Sequence, residues 1–251
     1  MFRNGLTVVK FGSSVLRGEE DLPVVVKEIA RWLRNKQYVL AVVSAFGNTT
    51  EKLFKRARSY GDTCYEGGTN EEAVARLVAT GEEEAAALLA LALGRAGMRA
   101  KLLGPEQIRL IGEGTPLDAR LTGVSAERIW SAFTEADVVV VPGFIARTVR
   151  GTTVLLGRGG SDLTAVFLAH KLRAGRCRLV KDVDGLYSRD PKSADGMSSE
   201  RYEKLGWEEA LGLRGRVVQL KALEFARDNR LRFEVAEIGR EHGTVVGEEV
   251  R

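Results

Sequence analysis

A chain of 251 residues with 44% hydrophobic and 29% charged residues can bury a sizeable core, as one α/β domain or as two small lobes, and disorder is excluded as the default. Its 38 basic residues outnumber the 34 acidic ones only slightly and are spread along the chain, a balance that suits an anionic small substrate and does not indicate a nucleic-acid surface. Two cysteines (Cys64, Cys177) and two histidines (His170, His242) lack metal-ligand spacing; with no cleavage signal in Met1 to Lys10 and no run of roughly 18 apolar residues, a soluble, unexported, cytoplasmic protein is expected.

Short β-branched runs alternate with segments of helical periodicity, which predicts an α/β fold: a mainly parallel sheet covered by helices on both faces. Strands are expected at Leu6 to Lys10, Val39 to Ser44, Ala100 to Leu103, Val138 to Val141, Thr153 to Leu156, Arg178 to Val183 and Arg232 to Ile238. Helices are expected at Leu22 to Asn35, Thr50 to Ser59, Glu71 to Thr80, Glu82 to Ala96, Ala126 to Glu135, Asp162 to Ala174, Trp207 to Leu211 and Val217 to Asn229. Helix formers fill Gly81 to Gly97, where Ala85, Leu88, Leu89, Ala92 and Leu93 make an apolar stripe and glycine closes the end; the segment suits a core helix or a dimer face. Lys171, Arg173, Arg176 and Arg178 cluster without an interleaved aromatic, as at a solvated helix end. The polar stretch Ser188 to Glu203, with Pro191 and Gly196, reads as an exposed excursion of the kind that covers ligands.

Three segments carry chemistry. In Val8-Val9-Lys10-Phe11-Gly12-Ser13-Ser14 a strand ends in a lysine and a glycine; glycine lets the backbone approach an anion and the ammonium can neutralise it, while a merely solvated lysine is the plainer alternative. Gly157-Arg158-Gly159-Gly160-Ser161-Asp162 sits between a strand and a helix. Its glycines forfeit backbone entropy, Arg158 offers a planar fork for a carboxylate or phosphate, and Ser161 or Asp162 can cap the helix; a tight turn with a capped helix is the alternative. Lys181-Asp182-Val183-Asp184-Gly185-Leu186-Tyr187 and the following Ser188 to Lys192 put carboxylates, an aromatic and cations at a strand's carboxyl end, where open α/β sheets bind ligands, although Asp-Gly and Asp-Pro alone signify turns.

Taken in order, these segments resemble the catalytic domain of aspartate kinases. Lys10-Phe11-Gly12-Ser13-Ser14 resembles K-F-G-G-T-S, Val42-Val43-Ser44-Ala45 with Thr49-Thr50 resembles V-V-S-A and its threonine, and Thr80-Gly81-Glu82 resembles an S-x-G-E helix start. Gly157 to Ala165 reads as G-R-G-G-S-D-x-T-A and Asp182 to Pro191 as D-V-D-G-x-Y-x-x-D-P, with separations that agree from about residue 6 to residue 245.

The resemblance implies the amino acid kinase fold, a three-layer sandwich, with a substrate lobe over about residues 1–150 and a nucleotide lobe over about 151–251. It implies ATP and Mg²⁺, the metal carried mainly on ATP phosphates, and phosphorylation of aspartate to 4-phospho-aspartate. Lys10 is implied to meet the transferring phosphoryl group and Asp162 to stand at the reaction centre. Ser44, Thr50, Glu82, Arg158 and Ser161 are implied to bind substrate, Glu82 taking its amino group and Arg158 its carboxylate. Gly12, Ser13, Gly159, Gly160, Lys181, Asp182, Tyr187, Lys192 and Arg216 fall to the nucleotide and its phosphates, Arg216 standing where the family usually has lysine. Moving a phosphoryl group between anions asks for positioning and charge neutralisation, which these residue types supply.

The chain departs from the pattern at Ser13 (usually glycine), Val15 (serine), Lys181 (threonine) and Gln219-Leu220 (histidine-proline). These departures leave open another small amino acid or carboxylate as acceptor, or a non-catalytic binding or regulatory subunit; Lys10, Glu82, Arg158 and Asp162 together argue for the enzyme. The chain's close after His242-Gly243-Thr244 leaves no length for the two ACT domains that commonly follow, so no feedback site is expected in it. A homodimer is implied, with any control coming from a separate subunit.

Overall fold

The computed structural model describes residues 5–34, 37–60, 70–188, 199–213 and 217–247. In chain order the elements are β1 (Leu6–Phe11), α1 (Leu22–Leu33), β2 (Tyr38–Val43), α2 (Thr49–Ser59), α3 (Glu71–Arg95), β3 (Ala100–Leu102), β4 (Ile111–Thr115), β5 (Asp118–Gly123) and α4 (Ala126–Ala132). There follow β6 (Val138–Pro142), β7 (Ile145–Arg147), β8 (Thr153–Leu155), α5 (Gly160–Leu172), β9 (Arg176–Lys181), β10 (Lys204–Gly206), α6 (Trp207–Gly212), α7 (Leu220–Asp228), β11 (Phe233–Glu237) and β12 (Thr244–Gly247).

The main sheet has the spatial order β10-β12-β11-β9-β1-β2-β6-β3. From β11 to β3 every neighbour runs parallel, and only the β11–β12 pair is antiparallel. Its central strands are continuous apolar runs because both faces are covered. Val9, Ala41, Val43, Val138 and Val140 pack against Ile29 and Trp32 of α1 and Leu89 and Leu93 of α3. On the opposite face Val8, Leu40, Val139 and Leu179 meet Val166 and Phe167 of α5, Ile129 of α4 and Leu223 of α7. Helix α5 is buried nearly all round, as a helix inside a domain must be when it is apolar on every side.

A second sheet of order β5-β4-β7-β8 lies beyond this frame. Sequence periodicity found only β8 in it. Gly112 and Gly114 interrupt β4, β5 is largely exposed with charged residues in it, and β7 has three residues, so none shows the apolar alternation that signals a strand. The short strands β10 and β12 were missed for the same reason.

Two helices expected at Glu71 to Thr80 and Glu82 to Ala96 are one helix of 25 residues, and Glu82 lies inside it rather than at a helix start. Gly81 does not break α3. A Cβ there would come within 3.0 Å of Thr49 and 3.3 Å of Ala45, so the glycine serves close packing of α2 and the loop after β2. The basic cluster is a solvated helix end only in part: Lys171 and Arg173 are exposed at the end of α5, whereas Arg178 on β9 is fully buried, pairs with Glu234 at 3.2 Å and donates to the Glu241 carbonyl at 3.0 Å.

Candidate active site

The carboxyl ends of β1, β2 and β9 and the N-terminus of α5 open onto one cavity of about 990 Å³. Strand β9 stops at Lys181 rather than Val183, so the segment from Asp182 to Tyr187 turns along the cavity's edge. Of the residues nominated from sequence, Lys10, Gly12, Ser13, Ser44, Thr50, Glu82, Arg158, Gly159, Gly160, Ser161, Asp162, Lys181, Asp182 and Tyr187 all line this cavity. Lys192 and Arg216 lie outside the described residues.

The floor is built by register. Lys10 on β1 is partnered with Leu179 on β9, and Lys181 lies two residues farther along, so the strand period of two turns both lysines toward α5. There Asp162 receives them: its Oδ1 is 2.7 Å from Lys10 Nζ and its Oδ2 is 2.8 Å from Lys181 Nζ. Burial pushes the Asp162 carboxyl up, but the charges and hydrogen bonds of the two ammoniums outweigh it and hold the group well below the usual carboxylate range. Burial and the neighbouring Lys10 ammonium push Lys181 down to about 8, against the pull of Asp162.

Gly12 closes over this floor. A Cβ at Gly12 would sit 2.5 Å from Lys10 Nζ, so a larger residue would push the end of the lysine from its place beneath the turn. The residues after it form a turn, with Val15 and Leu16 N–H groups bonded to the Gly12 carbonyl, and α1 begins only at Leu22.

Neither Ser161 nor Asp162 caps α5. The N-cap is Gly159 at φ 81°, and no side chain bonds the helix end. Asp162, in the first turn, is spent on the lysines instead. The Gly160 N–H at the start of α5 is taken by the Gly157 carbonyl at 3.0 Å, while the next first-turn amides, of Ser161 and Asp162, lack helical carbonyl partners and suit an anion.

On the α3 side Glu82 is 2% exposed, and its Oε2 has no hydrogen-bond partner among the described residues. Burial raises its carboxyl to about 8, opposed by the Ala45 backbone N–H and the charge of Lys10. Arg158, between β8 and α5, is exposed at the cavity wall and pairs with no carboxylate among the described residues. At the β9 end the Tyr187 hydroxyl donates to Asp184 Oδ1 at 2.5 Å, while Tyr202 N–H bonds the Leu186 carbonyl at 2.8 Å and so ties the returning chain to this edge.

Sequence reasoning missed the apolar wall formed by Leu117, Phe144, Val217 and Val218. Leu117 lies in the β4–β5 turn and Phe144 has φ 63°, a left-handed backbone rare for an aromatic residue; neither carries a signal readable along the chain.

The model of the amino acid kinase family matches residues 5–236. An aspartokinase of Bacillus sp. (strain MGA3) is 34% identical over 250 residues, which are 98% of this chain and 59% of that protein. The aspartate kinase structure from Synechocystis superposes with a TM-score of 0.79 at 28% identity, covering 98% of this chain and 40% of that one. The structure of E. coli aspartokinase III in complex with aspartate and ADP gives a TM-score of 0.84 at 20% identity, covering 98% of this chain and 65% of that one, a likeness of fold. The chain thus spans about three-fifths of the length of the Bacillus protein.

Proposed function

From the premise that the chain belongs to the amino acid kinase family, we propose that it transfers the γ-phosphoryl group of ATP to the side-chain carboxylate of L-aspartate, giving 4-phospho-L-aspartate and ADP. The observation that carries this reading is the meeting, in one cavity, of a buried lysine held by a carboxylate with a buried carboxyl, Glu82, that has one oxygen unbonded among the described residues, and an exposed guanidinium, Arg158. The aspartokinase relatives supply the acceptor.

In this reading the acceptor's amino group lies against Glu82 and its α-carboxylate against the Arg158 fork, with Ser44, Thr50 and Ser161 along it. That leaves the side-chain carboxylate facing Lys10, as the attacking group itself, so no protein nucleophile is needed. Lys10 meets the transferring phosphoryl group, and Asp162 fixes its ammonium. The first-turn amides of α5 after Gly159 and Gly160, together with the turn at Gly12 and Ser13, face the phosphates, while Asp182 and Tyr187 take the nucleoside end. Residues of about 1–150 then serve mainly the acceptor and those of about 151–251 mainly the nucleotide.

Mg²⁺ would come bound to ATP and would neutralise phosphate charge; among the described residues the buried carboxyls of the cavity offer it no ready ligand set, since Asp162 is taken by two lysines and Glu82 favours its neutral form. A homodimer in the cytoplasm completes the reading.

A hydroxylamine trap for acyl phosphate, with ATP, Mg²⁺ and a panel of amino acids, tests it. Aspartate is expected to give product and Lys10→Ala to abolish it. Product from a different small acid would move the acceptor, and silence across the panel would favour a non-catalytic binding subunit.

A further inference from the structure

We propose that Lys181 is a second catalytic cation of this kinase: its ammonium contacts the phosphate chain of the nucleotide from the β9 side, opposite Lys10. The inference rests on the kinase reading above and deepens it.

The geometry points to phosphate in three ways. First, adjacent parallel strands deliver two lysines to one carboxylate: Lys181 Nζ stands 2.8 Å from Asp162 Oδ2 and 3.1 Å from Oδ1, and Lys10 Nζ stands 2.7 Å from Oδ1. The three side chains are 12%, 2% and 7% exposed, so the cluster is desolvated yet still borders the cavity. Second, the buried charges do not balance. Two ammoniums face one carboxylate, and the other buried carboxyl lining the cavity, Glu82, favours its neutral form up to about pH 8. Burial and repulsion from Lys10 strain the charged form of Lys181, and an incoming anion relieves both. Third, Lys181 directly precedes Asp182 and lies beside Lys10, so a phosphate chain running from the Asp182–Tyr187 edge toward Lys10 passes over it. A lysine has three donors and Asp162 accepts only part of that capacity.

A purely structural role, in which Lys181 only balances Asp162, predicts a different outcome in binding. ADP and adenosine share the nucleoside and differ in phosphate, so their affinities separate phosphate contact from general damage. Calorimetric titration of Lys181→Met and Lys181→Thr is expected to show ADP weakened by about tenfold or more, the order of a lost charge-assisted hydrogen bond, with adenosine changed less than about twofold. Lys181→Arg, which keeps the charge, is expected to recover most of the ADP affinity. Equal ADP affinity in wild type and the Met and Thr variants would overturn the proposal.

A measurement on the wild-type protein covers the case in which those variants do not fold. Reductive methylation of lysines, quantified by peptide mass spectrometry, is expected to show Lys181 protected by ADP and not by adenosine; equal protection by the two would overturn the proposal. The acceptor plays no part in either experiment. If ADP binds through Lys181 while the hydroxylamine trap stays silent with aspartate, the acceptor reading fails and the Lys181 assignment stands. If the wild-type protein holds ADP no more tightly than adenosine, Lys181 has no phosphate to meet and the assignment falls as well.

Discussion

On the α5 side of the cavity Lys10 and Lys181 close on Asp162 at 2.7 and 2.8 Å in near-complete burial, whereas toward α3 and the rim Glu82 keeps an unbonded oxygen and Arg158 stands exposed without a carboxylate. The first region is held in place before any ligand arrives, although one carboxylate does not balance its two ammoniums, so on the proposed kinase reading those cations need little reorganisation when charge moves, which is what electrostatic catalysis of phosphoryl transfer asks of a protein. In the second region Glu82 has the Ala45 N–H and one oxygen without a partner among the described residues, and on the proposed reading a zwitterionic amino acid end meets both Glu82 and Arg158. On the proposed kinase reading, preorganisation on one side and incompleteness on the other divide the work between rate and selection.

The severest way to break that contrast is Asp162→Asn. It leaves two buried ammoniums facing each other with no anion, and removing one partner from such a cluster costs about 3–5 kcal/mol. Chemical denaturation is expected to show that loss together with near-complete loss of transfer; a variant as stable as wild type would mean that the cluster is not preorganised. Arg158→Ala acts on the other side. Its guanidinium is exposed and unpaired, so stability is expected to stay within about 0.5 kcal/mol, while KM for the acceptor rises on the order of tenfold to a hundredfold. Equal damage to stability and KM would erase the distinction between the regions.

The same division explains what could be read along the chain. Elements whose apolar runs are long and local, such as β1, β2, β6 and α5, were legible because burial on both faces leaves a continuous signature. Gly12, Lys10, Arg158 and Asp162 were legible because chemistry compresses them into short motifs. What lay hidden depends on distance in sequence. Gly81 looked like a helix boundary until Ala45 and Thr49 were found against it, and Asp162 looked like a helix cap until two strands brought lysines to it. Leu117 enters the cavity only because the second sheet, weakly patterned and partly exposed, carries it there.

The gentlest test asks whether Glu82 is as incomplete as its geometry implies, and it reads a slope rather than a loss. Burial raises this carboxyl from its ordinary value of 4.5 to about 8 in the folded protein. Between those values the native state keeps the proton that the unfolded chain has released, so stability contributed through Glu82 falls as pH rises across this window. Glu82→Gln is neutral throughout and lacks that fall. The stability difference between variant and wild type cancels the groups common to both, among them His170. Without substrate, it is expected to be flat below about pH 4.5, to grow in the variant's favour toward pH 8, and to level off above, as read by denaturation at a series of pH values. A flat difference over the whole range would mean that Glu82 is already ionised and partnered, and that the α3 side is as complete as the side facing α5.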